Sequence, residues 1–180
     1  MTKFSLVVLS FFMLSMTTYT ESIYTHSVKS IEGPNKSLAN YQGKKIFIIT
    51  LPTVQNAGND SLLTSIDSLR IAQGSGLQII AVPSYEDGYT AANKTTLKNW
   101  YRTKLHTAII ITEGLYTRKT SGTQQHNLFK WLTDKNKNGH FNKDVTGARC
   151  KFFVWTDGQL LGVLAPQTKM NGVAMNSLFE

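Results

Sequence analysis

Apolar and polar positions divide the chain into blocks of two periods. Residues 46–51, 77–82, 108–112 and 150–155 are almost continuously apolar and rich in β-branched or aromatic side chains. Runs of that length suit strands buried on both faces. A further run, 159–165, follows Asp157 and Gly158, a hairpin turn signal. Between these strands the period lengthens. Leu62, Leu63, Ile66, Leu69 and Ile71 give residues 60–73 an apolar stripe at helical spacing. Asp60 or Asn59 is the expected cap there, and Gly74 and Gly76 the stop. Residues 95–105, with Leu97, Trp100, Tyr101 and Leu105, predict a second helix. Residues 124–134, with Leu128, Phe129, Trp131 and Leu132, predict a third. Upstream, residues 22–44 predict a short hairpin turning at Glu32, Gly33, Pro34 and Asn35.

The resulting order is strand, helix, strand, helix, strand, helix, hairpin. Strands separated by helices pair in parallel through right-handed crossovers, and a closing hairpin adds antiparallel strands. The pattern therefore predicts an α/β fold, a thioredoxin-like sandwich with a central mixed sheet, helices on both faces and an N-terminal hairpin. At 180 residues, 41% hydrophobic and 17% charged, the chain supports one packed domain, expected over 21–180.

The first residues stand apart. Lys3 supplies a positive start, and residues 4–16 are almost wholly apolar. As a helix that run spans about 20 Å, short of a bilayer core of about 30 Å. It reads as the hydrophobic part of a secretory signal over 1–20, cut near Thr18, Tyr19 and Thr20, with an uncleaved anchor as the alternative. The mature chain is thus expected to be exported, periplasmic or extracellular, with no stable membrane span. Cys150 is the single cysteine, so no intrachain disulfide forms and any redox chemistry must use one thiol or borrow another. A net charge of +8 is spread over separated Lys and Arg residues with no basic arm, so no nucleic-acid partner is expected.

Several stretches in register resemble the glutathione peroxidase family. The opening "SIYTHSVKSIEGPNKSLANYQGKKIFIIT" is similar to that family's "SIYDF", turn, "SLSDYKGK" and apolar strand. "HNLFKWL" resembles "HPLYKWL", and "KFFVWTDGQLLGVLAPQTK" resembles "KFLVDRDGNVVERYAPTTK". The resemblance implies peroxide reduction by a cysteine or selenocysteine in the turn after the first core strand, aided by glutamine, tryptophan and asparagine donors. If active, such a chain would take a peroxide and an external thiol donor, glutathione or thioredoxin-like, and no cofactor. Laid over this chain, the nucleophile's slot in "NVASKCG" falls at Gln55, within one residue. The glutamine's slot in "FPCNQFG" falls at Glu86, and those of "WNFTKF" at Gly147 and Ala148.

Gln55 carries no nucleophile, an ionised Glu86 would oppose a thiolate beside it, and Gly147 and Ala148 offer no side-chain donor. Cys150 is the one thiol that could substitute, flanked by Arg149 and Lys151; a small buried apolar role is the alternative. Residues 134–145 imitate a calcium loop through Asp134, Asn136, Asn138 and Gly139, yet Val145 replaces the bidentate glutamate and Lys135 and Lys137 repel a cation. His26, His106, His126 and His140 lack metal-ligand spacing, so no metal is expected. Asn35, Asn59 and Asn93 head glycosylation sequons.

The expected function is an exported glutathione-peroxidase-like protein without peroxidase activity, a binding module or a remnant. An atypical thiol peroxidase acting through Cys150 and a cationic surface binder are the alternatives.

Overall fold

The structure is a computed structural model that describes residues 21–179; the apolar run at 4–16 and the cleavage expected near residues 18–20 lie outside them. In chain order the elements are β1 (Ser27–Lys29), β2 (Asn35–Ser37), β3 (Lys45–Leu51), α1 (Ala57–Gln73), β4 (Leu77–Pro83) and α2 (Lys94–Arg102). They continue with β5 (Ile110–Ile111), α3 (Asn127–Thr133), α4 (Lys135–Asn138), β6 (Lys151–Val154), β7 (Leu160–Leu164) and α5 (Val173–Asn176). β1 and β2 form the antiparallel N-terminal hairpin. The main sheet runs β5-β4-β3-β6-β7. β3 is parallel to β4, and β4 to β5, while β6 and β7 enter antiparallel. Among the described residues, no helix is long and apolar enough to cross a membrane.

Alternation along the central strands splits the interior into two layers. Ile46, Ile48, Ile80, Val82, Phe152 and Val154 face α3, which contributes Leu128, Phe129, Trp131 and Leu132. Phe47, Ile49, Ile79, Ala81 and Phe153 face the other way, onto Leu63 and Ile66 of α1 and Trp100 and Tyr101 of α2. Each fully buried Ile, Leu or Phe contributes roughly 1.5–3 kcal/mol, and β3, whose last six residues are all buried, anchors both layers.

Four sequence readings change in detail. α1 begins at Ala57 because the Asn56 side chain accepts the Asn59 N–H, so neither Asn59 nor Asp60 is the cap. Ile71 is 66% exposed and leaves the apolar stripe. The third strand contracts to the two residues of β5, beyond which Thr112 makes a single bridge to Ser30 of the N-terminal hairpin. α5 has no counterpart in the apolar periodicity.

Candidate functional site

Parallel β3 and β4 end on the same edge of the sheet, where Leu51 pairs with Pro83. Antiparallel β6 starts there too, with Lys151 opposite Ile49. The turns after β3 and β4 and the segment before β6 therefore converge at the carboxyl ends of the parallel strands, the side on which α/β sheets build their sites. This brings Gln55, Glu86, Gly147 and Ala148 to one edge.

Thr50 fastens two of these pieces. Its hydroxyl donates to the Gly147 carbonyl at 2.9 Å and accepts the Cys150 N–H at 2.9 Å. Its backbone accepts the Arg149 N–H at 2.7 Å. The turn after β3 is held from three directions. Tyr101 Oη donates to the Pro52 carbonyl at 2.8 Å, and Asn59 Nδ2 to the Val54 carbonyl at 2.7 Å. Thr53 Oγ1 donates to the Asp87 carbonyl, joining this turn to that after β4. Arg149 completes the ring by donating from Nη2 to Asn59 Oδ1 at 2.6 Å. Gln55, at the crest, is exposed and makes no side-chain hydrogen bond to the described residues.

Glu86 is committed elsewhere. Its carboxylate accepts the backbone N–H groups of Thr117 and Arg118, at 2.8 and 2.9 Å from Oε1, and the hydroxyls of Ser84 and Ser121 at 2.5 Å each. Burial pushes its pKa up, but the Ser121 and Ser84 hydroxyls and the Arg118 amide outweigh burial and hold it at about 2. It is an ionised clamp on the 117–121 loop. Next to it, Asp87 pairs with Arg118, while burial, the larger influence, raises its carboxyl above the usual range.

Cys150 is 4% exposed and lies in the α3-side layer with Phe152 and Val154. Its Sγ sits 3.6 Å from Thr146 Oγ1. The flanking cations do not both extend to solvent. Lys151 is 1% exposed, and its ammonium donates to the carbonyls of Arg149, Ala165 and Pro166 at 2.8, 3.4 and 3.3 Å. Burial lowers its pKa to about 8. Arg149 takes a left-handed backbone, φ 74°, held by its bond to Thr50. Sequence reasoning missed both features, since a lysine within an apolar run gives no sign of which carbonyls will surround it.

The other candidates have structural employment. Asn138 is fully buried; Nδ2 donates to the Trp131 and Phe141 carbonyls and Oδ1 accepts the His140 and Phe141 N–H groups. It is thus turned away from any cation in residues 134–145. His26 and His126 border one cavity, both with pKa values lowered by burial, whereas His106 and His140 lie apart from it. Among the described residues, no three His, Cys, Asp or Glu side chains form a metal-binding group. The sequon residue Asn59 is 7% exposed and bonded on both sides of its amide.

The sheet, its flanking helices and this convergent edge define the class: a thioredoxin-like α/β protein. No family model matches the chain. Over 149 residues it is 25% identical to glutathione peroxidase 1 of Caenorhabditis elegans, covering 82% of this chain and 88% of that one. Its fold is similar to that of T. cruzi GPX1, with a TM-score of 0.62, 14% identity and coverage of 88% of this chain and 95% of that one. Apo Trgpx gives 0.60 at 18% identity, covering 83% and 89%. The Xanthomonas campestris bacterioferritin comigratory protein, described for alkyl peroxide reduction, gives 0.54 at 15% identity, covering 89% and 94%. The chain is thus similar in sequence to a glutathione peroxidase, and in fold to these thioredoxin-like structures.

Proposed function

We propose that the chain is an exported glutathione-peroxidase-like protein that has no peroxidase activity and serves as a binding module. Peroxide reduction needs a thiolate that attacks one peroxide oxygen, breaking the O–O bond, so that a sulfenic acid forms and the second oxygen takes a proton and leaves as water or an alcohol. The observation that carries the proposal is the pairing of an intact, fastened turn with Gln55 at its crest. An amide cannot take the thiolate's part. The single thiol supports the same reading: Cys150 Sγ belongs to the α3-side core, and its exposure is 4%. Glu86, which the sequence resemblance aligns with a neutral donor, is spent on the 117–121 loop, and this supports the same reading. Export rests on the positive start and apolar run of residues 1–20.

The purified protein should reduce hydrogen peroxide and cumene hydroperoxide no faster than a heat-denatured control, with either glutathione or thioredoxin as donor. Turnover above that control would sink the proposal. Its disappearance in Cys150→Ser would assign the chemistry to that thiol.

A further inference from the structure

A large concave feature lies away from Gln55, between α1 and the segment that follows β7. Its wider part, about 600 Å³, runs between Ser68 and Gln73 on one wall and Asn176 and Phe179 on the other. A narrower part, about 260 Å³, continues past Gly58 and Ser61 to Arg149, Lys151 and Lys169. Ser65, Met170 and Asn171 border both parts, so the two adjoin along α1. From Gly58 to Gln73 the helix rises about 22 Å, the length of six or seven residues of extended chain.

Charge is distributed unevenly along it. The narrow end holds three cations, and no described Asp or Glu borders either part. The carboxylates of α1 face other neighbours: Asp60 accepts the Trp100 indole N–H, and Asp67 pairs with Arg70. Lys151 is fixed in the wall, while Arg149 spends one amino group on Asn59 and Lys169 is exposed. Along the rest of the cleft, hydroxyls and amides alternate with Leu69, Met170 and Phe179. The flexible Met170 thioether at the junction adapts to varied side chains.

We infer that this cleft binds an extended peptide whose terminal carboxylate lies at the Arg149–Lys169 end. Carboxylate and guanidinium or ammonium groups make short, charge-assisted hydrogen bonds. The hydroxyls of Ser65 and Ser68, which donate to the Ser61 and Thr64 carbonyls of α1, then accept peptide N–H groups, and Leu69 and Phe179 receive its apolar side chains. This rests on the reading of the chain as a binding module, and it specifies the partner.

The test uses a fluorescein-labelled hexapeptide pool, randomised at every position and made as the free acid and as the C-terminal amide. Fluorescence polarisation with the purified protein, in the absence of peroxide, should show the free acid binding at least tenfold more tightly. Lys169→Glu should remove that difference, and Ser65→Trp, which fills the junction, should weaken both pools. Equal binding of acid and amide, no binding of either, or a Lys169→Glu protein that keeps the preference would overturn the inference. A free-acid dipeptide binding as well as the hexapeptide would reduce the cleft to a small-anion site and overturn it equally. Peroxide turnover would sink the binding-module reading while leaving these polarisation results to stand on their own.

Discussion

Replacing Glu86 by glutamine keeps the shape of the side chain and removes its charge. In the folded protein the carboxylate faces backbone N–H groups and hydroxyls, all able to donate to it. A glutamine amide turns one NH2 toward those donors, leaving at least one N–H without an acceptor. A carboxyl moved from 4.5 to about 2 adds at most about 3 kcal/mol of stability at neutral pH. Partial exposure screens some of this, leaving about 2 kcal/mol. The folded value is depressed, so this stability is fully present above about 4.5 and is lost as the pH falls through about 2. Urea denaturation of the parent and of Glu86→Gln should therefore differ by about 2 kcal/mol at pH 7, with a melting shift of about 4–8 °C. Both proteins should converge as the pH drops from 4.5 toward 2. Equal stability at pH 7, or a gap as wide at pH 2 as at pH 7, would refute the clamp and return Glu86 to the surface.

Cys150 should react slowly with a neutral maleimide in the native protein and quickly in denaturant, since it is 4% exposed. Cys150→Ala should cost about 1 kcal/mol, read from the denaturation midpoint. Asn138→Ala should cost about 2 kcal/mol, because it strands the buried Trp131 carbonyl and the partly buried N–H groups of His140 and Phe141. Calorimetry on the parent should find calcium binding no tighter than millimolar, and micromolar binding would show that residues 134–145 coordinate despite Asn138.

The parts of the fold that were legible in the sequence are those governed by apolar period. β3, β4, β6 and β7 fall within a residue of their apolar runs: β3, β4 and β6 are filled by buried side chains, and half-buried β7 is marked by the turn at Asp157 and Gly158. The start of α1 was harder, since Asn56 to Asp60 read as turn formers and no apolar residue marks the first helical turn. α5 spans four residues, too few for a period to register. At the candidate site, chain order was sufficient to bring Gln55, Glu86 and Gly147 to one edge, because each flanks a core strand. Where their side chains point was not legible. Apart from Ser84, the donors to Glu86 lie some thirty residues onward in a loop without pattern, and the acceptors for Lys151 are backbone carbonyls, which sequence identity does not mark.

The fastening of the turn after β3 separates its shape from its reactivity. Tyr101, Asn59 and Thr53 hold it through backbone carbonyls, and none of these bonds involves the side chain at position 55. Tyr101 is fully buried, and Asn59 also anchors Arg149, so loosening the turn would disturb the packing of α2 and the approach to β6. The contour survives on thermodynamic grounds alone, whatever residue crowns it. Position 55 is thus open to exchange at little structural cost, and a thiol written there would inherit a backbone already set in place.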